Sequence, residues 1–328
     1  MSSTDADVVI DPQTIKELHL FEAAISDVDT EVTAKQYLMS RDIFAARQKT
    51  IAKIPSFWAV TFDNAASELE AAVTQSDLEV FSAALTSVEV TRPEVPASAK
   101  ASDLGLEKFG EPRSLQFTFR FGDNKWFSDK ELTKIFYFRY GKDGSAGLVS
   151  EPIKINWKSP QTDLTQGLSD AALAFWHAQK TNPSQNIDGV LANDARHARD
   201  AAAKELPEYK SLAKQLEDNV EGSLSFFNFF SYRGRWISAA EHVAAKAELL
   251  ARRQAAQAGN EVDEDDDDDD DEDFTEEAVE TFPAGHEVAV TIAEDIFPNA
   301  IDYFMGNSID SDIEIDDDDE DEDEEMEG

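Results

Sequence analysis

From Asp11 onward, apolar positions recur at helical spacing, and no Gly or Pro interrupts the chain after Pro12 until Pro55. Asp11 suits an N-cap, and Pro12 suits the first helical position, where its missing N–H would be unpaired anyway. Pro55 disfavours helical backbone at Ile54 and marks a stop. The pattern predicts one helix over 11–54, a rod of roughly 60 Å at 1.5 Å per residue. Leu18, Phe21, Ile25, Val28 and Val32 step by 3 and 4, a heptad seam that continues through Lys35, Met39 and Asp42 and so weakens in its second half. Ile43, Phe44, Ile51 and Ile54 form a second, offset face. A lone helix cannot bury such a seam, so Leu18, Phe21, Ile25, Val28, Val32 and Met39 are expected to pair with a second copy as an antiparallel homodimer. The plain alternative is a core helix in a monomer.

The period then changes. Glu68–Val73 reads as helical, and Ser76 with Glu79 reads as a capping box opening a helix from Asp77 to Ala84. Leu85–Thr91 alternates as a strand. Arg92–Glu111, with Pro93 and Pro96, is expected to be an exposed, mobile loop. Leu115, Phe117, Phe119 and Phe121 share one face of a strand over Arg113–Phe121. Glu131–Tyr140 is a second strand with aromatic residues on both faces, and Pro152–Trp157 a third. A meander with an aromatic face needs helices to cover it, so the class is α+β. Helices are expected at Ser169–Lys180, across Asn193–Val220 with a break at Pro207, at the aromatic Ser223–Tyr232 and at Trp236–Ala258. Val288–Ile296 and a last element with Ile301, Tyr303 and Phe304 close the fold.

Charge changes this picture most. The 328 residues carry a formal net charge of −40. Twelve of the 13 residues in Glu261–Asp273 are acidic, as are 14 of the 19 in Asp310–Gly328, and neither block holds a Lys or Arg. Outside them, 43 of the 69 Asp and Glu still face 29 Lys and Arg, so the body is acidic too. Such a surface attracts polycations and repels nucleic acid and anionic lipid, so no strong direct nucleic-acid binding is expected. Apolar sequence resumes after residue 273, which makes the first block a loop within the domain and the second a tail. The expected organisation is a disordered 1–10, the helix 11–54, a domain over 55–306 and a disordered tail over 307–328. There is no Cys, which excludes disulfides, thiolate zinc sites and Cys nucleophiles. Met1–Asp7 lacks the basic and apolar regions of a signal peptide. No run approaches 18 apolar residues, so no membrane span is expected.

Chemistry finds little support. Gly141–Gly147 lacks the Gly-Lys-Ser/Thr ending of a phosphate loop and joins two strands. His19, His177, His197, His242 and His286 show no metal spacing, and no Gly-x-Ser-x-Gly occurs. The Asp runs lack the glycine and spacing of an EF-hand loop, so any cation binding is loose. No enzyme, no cofactor and no metal site is expected.

Ile51-Ala52-Lys53-Ile54-Pro55-Ser56-Phe57-Trp58, closing a long helix, resembles the nucleosome assembly protein family, most closely its SET/template-activating-factor branch. Ser87-Val88-Glu89-Val90 resembles the family's first strand and Ile155-Asn156-Trp157-Lys158 its last. Ser225-Phe226-Phe227-Asn228-Phe229-Phe230 resembles its aromatic helix, and Glu294–Phe304 its closing motif. The resemblance implies a dimer paired through the long helices, with an α+β "earmuff" domain at each end. It also implies histone chaperone activity, with core histones of either or both pairs as partners and the nucleus, with the cytoplasm as a second place, as location. Carried over residue by residue, it suggests Glu287, Glu294, Asp295 and Asp302 near the closing helix as histone-binding candidates, with Asp316, Asp317, Asp318, Asp319 and Glu320 of the tail beside them. His286 stands where the branch tends to carry an acid. Stretches 159–222 and 234–284 are longer than the branch's corresponding loops. Two other readings stand beside this one: a regulator that inhibits a phosphatase or masks histones from acetylation, and a low-affinity Ca²⁺ buffer.

Overall fold

A computed structural model describes residues 11–69, 72–219, 224–258 and 279–306. The first acidic block and the tail lie outside these residues, as do residues 1–10.

Helix α1 runs Pro12–Ile51. Asp11 is its N-cap, with a carboxylate oxygen accepting from the Thr14 N–H at 3.2 Å. The helix stops three residues before Ile54, because Ala52, Lys53 and Ile54 tighten into a turn that leads to Pro55. Ser56 then adopts a left-handed backbone (φ 58°), which reverses the chain into α2, Phe57–Asn64. The pattern predicted helix over Glu68–Val73. Turns occupy 65–69 instead, and α3 (Gln75–Ala84) is opened by Thr74 and not by Ser76. Thr74 accepts from the Asp77 N–H, and Asp77 accepts from the Thr74 N–H at 2.8 Å.

Strands β1 (Leu85–Thr91), β2 (Leu115–Phe121), β3 (Glu131–Tyr140) and β4 (Ala146–Ser150) form an antiparallel meander in the order β1-β2-β3-β4. The fourth strand precedes the stretch Pro152–Trp157 that the alternation favoured. The Asp143 carboxylate accepts from the Ser145 N–H at 3.0 Å and closes the turn early, so Ala146 already pairs with Tyr140. Pro152 has no N–H to extend the ladder, and Ile153 donates instead to the Phe230 carbonyl at 3.0 Å.

One sheet face carries the core. Phe117, Phe119 and Phe136 meet the 3-10 turn Phe226–Ser231, whose four Phe are fully buried. Ring centroids there stand about 5–6 Å apart, mostly edge to face, the geometry that π quadrupoles favour. This segment is a single tight turn, shorter than the helix predicted over Ser223–Tyr232. Its entry is fixed by Asp77, which accepts from the Phe226 N–H at 2.9 Å and from the Ser225 hydroxyl. Buried Lys134 donates to the carbonyls of Glu151 (2.7 Å) and Tyr232 (2.6 Å), tying β3 to the end of that turn. Helix α2 packs beneath, and the closing segment follows it.

The insertions fold onto the other face at the β3–β4 end. They form α4 (Leu168–Thr181), α5 (Asn193–Lys204), α6 (Pro207–Asp218) and α7 (Ala239–Gln257). Trp176, Ile187 and Trp236 cover Val149 and Tyr137. A buried charge network joins this lobe to the β3–β4 turn: Arg196 pairs with Glu241 and lies 3.4 Å from Asp143, which also pairs with Arg235. Each buried charge has an opposite neighbour, which is the condition for burying it. Helix α7 continues to the rod, where Arg253 lies 3.1 Å from Asp27. The loop Arg92–Glu111 is also applied to the rod, contrary to its expected mobility. Phe109 and Ala99 bury against Ala34 and Leu38, and Arg139 grips Glu94 with both terminal nitrogens at 2.7 and 3.0 Å.

The closing segment comprises α8 (Gly285–Thr291), a π-helical turn at Ile292–Ile296 and α9 (Ala300–Met305). Gly285 is required by contact: a Cβ there would stand 2.3 Å from the Tyr232 ring.

Candidate functional site

Three features of the fold bear on function: the outer face of the rod, the groove between rod and sheet, and the acidic surface around the closing segment.

On the rod, the predicted seam is uncovered in the single chain. Leu18, Phe21, Ile25, Val28, Val32 and Met39 are each 49–68 % exposed. At about 100° per residue, Ala34 and Leu38, which bury against the loop, lie on the side opposite Ile25. The chain's own body thus covers one side of the rod and leaves the seam bare. The same geometry corrects the far end of the heptad. Ile43, 66 % exposed, falls in line with Ile25, while Asp42 turns off the stripe, so the apolar line is longer than the strict seven-residue repeat implied.

The four carboxylates named near the closing segment are not equivalent. Glu287 and Asp302 are exposed in the first turns of α8 and α9. Glu294 is exposed but stands 2.6 Å from Arg92. Asp295 accepts from Asn299 Nδ2 at 2.9 Å and from the Tyr303 hydroxyl at 2.7 Å, so its oxygens already hold the turn into α9. Burial, then Asp295 and Glu68, pushes the Tyr303 phenol above its ordinary range. Asn64 of α2 donates to the Tyr303 carbonyl at 2.7 Å. The α2–α9 contact therefore brings exposed Asp63 and Glu68 beside Asp302, two acids that the sequence pattern did not single out. Only the packing of α2 on α9 reveals them. Asp316–Glu320 lie outside the described residues. Among the described residues no group of His, Asp and Glu could hold a metal ion, and no helix is long and apolar enough to cross a membrane.

An uncovered rod, a helix-covered sheet and an acidic surface define a binding scaffold. Residues 22–307 match the nucleosome assembly protein (NAP) family, and the chain belongs to it. The family is one of histone chaperones that perform no chemistry. The chain is 25% identical over 231 residues to NAP1-related protein 2 of Arabidopsis thaliana, covering 68% of this chain and 78% of that protein. It is 26% identical over 236 residues to NAP1-related protein 1 of the same plant, covering 70% and 80%. The solved structure of Vps75 has the same fold, with a TM-score of 0.50 at 16% identity, covering 90% of this chain and 99% of that one.

Proposed function

We propose that this protein is a homodimeric histone chaperone that grips core histones through its acidic body and acidic tail, shielding them from unproductive DNA contacts and supporting nucleosome assembly. The family match over residues 22–307 carries the reading, and a net charge of −40 fits a cargo dense in Lys and Arg.

Dimerisation is supported by the bare seam from Leu18 to Ile43. On the acidic surface, Glu287, Glu294 and Asp302, with Asp63 and Glu68, offer carboxylates to the cargo, and Asp316–Glu320 extend the same charge along the tail. Asp295 serves the local fold. One exposed ion pair contributes only about 0–1 kcal/mol. Many tethered pairs add through effective concentration, and ion release makes the sum salt-sensitive. Cargo held this way is shielded yet transferable to DNA. A nuclear location, shared with the cytoplasm, accords with that cargo.

The test is histone binding across a salt series with the full chain and with a chain lacking 310–328. Affinity is expected to fall steeply with salt, and the truncation is expected to weaken binding without abolishing it. If the truncated chain binds core histones no better than an acidic peptide does, the structured surface has no part in the activity.

A further inference from the structure

The groove between α1 and the edge of the sheet has no role in the function above. It encloses about 390 Å³, walled by Tyr37, Arg41 and Phe44 on one side and by the consecutive residues Val88, Glu89, Val90 and Thr91 on the other. Four consecutive strand residues can line one groove only if it runs along the strand's edge, because alternate side chains point to opposite faces.

That edge is open. β1 is an outermost strand. The Phe121 N–H donates to Lys130 and the Gly122 N–H to Ala84. Alternation along β2 then turns the backbone groups of Gln116, Thr118 and Arg120 towards β1. Their partners Thr91, Glu89 and Ser87 are engaged inward, so the N–H and C=O of Val88 and Val90 point outward, into the groove. Among the described residues, no backbone or side-chain group bonds to them. Rod and strand are tied at one end only, where Gln48 donates to the Ser87 hydroxyl at 2.9 Å. Tyr37, Arg41, Phe44 and Gln48 step by 4, 3 and 4 along α1, about 100° or more around the helix from Ile25 and Ile43. Pairing of two copies through the seam therefore leaves the groove accessible.

We propose that this groove receives an extended basic segment of the histone cargo, which adds to β1 as a fifth strand. The inference rests on the chaperone reading. Strand addition uses the unpaired main-chain groups for affinity. The rim suits a basic occupant: Glu89 and the almost fully exposed Asp42 outnumber Arg41, which lies 3.8 Å from Asp42. Phe44, Val90 and Phe297 supply apolar surface for the side chains between the basic ones.

Hydrogen exchange on the full chain, with and without purified core histones, tests this. The Val88 and Val90 amides are expected to become protected on binding. Val90→Pro removes an outward donor at an edge position where proline is tolerated, and should weaken histone binding roughly tenfold, as loss of a backbone bond with its partner left unpaired implies. Against histones trimmed of their extended termini, variant and parent should bind alike. If intact histones bind while both amides exchange unchanged, the groove is not a cargo site and the chaperone reading stands. If intact histones do not bind at all, both fall.

Discussion

Arg47, near the end of the rod, donates to the main-chain carbonyls of Phe297 at 2.7 Å and Pro298 at 2.8 Å. Its guanidinium also lies 4.5 Å from the Phe44 ring centroid and 4.7 Å from that of Phe297. Two elements 250 residues apart in sequence are thereby clasped, and burial lowers the guanidinium pKa to about 10, leaving it charged at neutral pH.

Replacing Arg47 by Met keeps the apolar stem but strands two carbonyls. Charged hydrogen bonds contribute about 1.5–3 kcal/mol each, and part of that is recovered when water reaches the carbonyls. Arg47→Met should therefore cost about 2 kcal/mol in denaturant unfolding. Arg47→Lys, which has no fork to span both carbonyls, should recover less than half of the loss.

Asp77 is fully buried and accepts from Thr74, Ser225 and Phe226. Asp77→Ala removes a capping partner of α3 and also leaves the Phe226 N–H unpaired, at about 3 kcal/mol or more. Thr74→Ala loses only the cap and should cost about 1 kcal/mol. Thermal melts of the two variants should differ in that order.

Charge placed on the seam should separate the copies. Ile25→Asp with Val32→Asp is expected to give a particle of 36.4 kDa by sedimentation, with its circular dichroism otherwise retained, while the parent sediments at twice that mass. A parent that is already monomeric at micromolar concentration would remove the dimer from the account.

Stability should rise with pH in two separate windows. His242 Nδ1 accepts from the Tyr140 N–H at 3.0 Å. Burial, reinforced by Arg139, lowers the His242 pKa from 6.5 to about 4. The folded chain thus binds fewer protons than the unfolded one between these values, so the contribution is present above pH 6.5 and lost as pH falls towards 4. Burial likewise lowers Lys134 from 10.5 to about 7, opposed by Glu280 and Glu151. By the same sign, stability rises as pH climbs from 7 to 10.5. Unfolding free energies measured along pH should lose the lower slope in His242→Gln and the upper one in Lys134→Met.

The periodicities alone determined the rod, the paired strands β2 and β3 and the aromatic segment destined for the core, because 3.6- and 2-residue repeats are local properties. Asp11 and Pro12 fixed the start of α1 for the same reason, and the acidic excess stated the kind of cargo. Tertiary structure decided what those patterns left open. Thr74 rather than Ser76 caps α3, because Asp77 is also held by Ser225 and Phe226 from 148 and 149 residues away. Strand β4 forms at Ala146–Ser150 because Asp143 closes the turn and Pro152 ends the ladder. Asp295 carries the same charge as Asp302, yet Asn299 and Tyr303 occupy its oxygens while Asp302 stays exposed. Composition counts carboxylates. Which of them remain available depends on neighbours that only folding brings within hydrogen-bond reach.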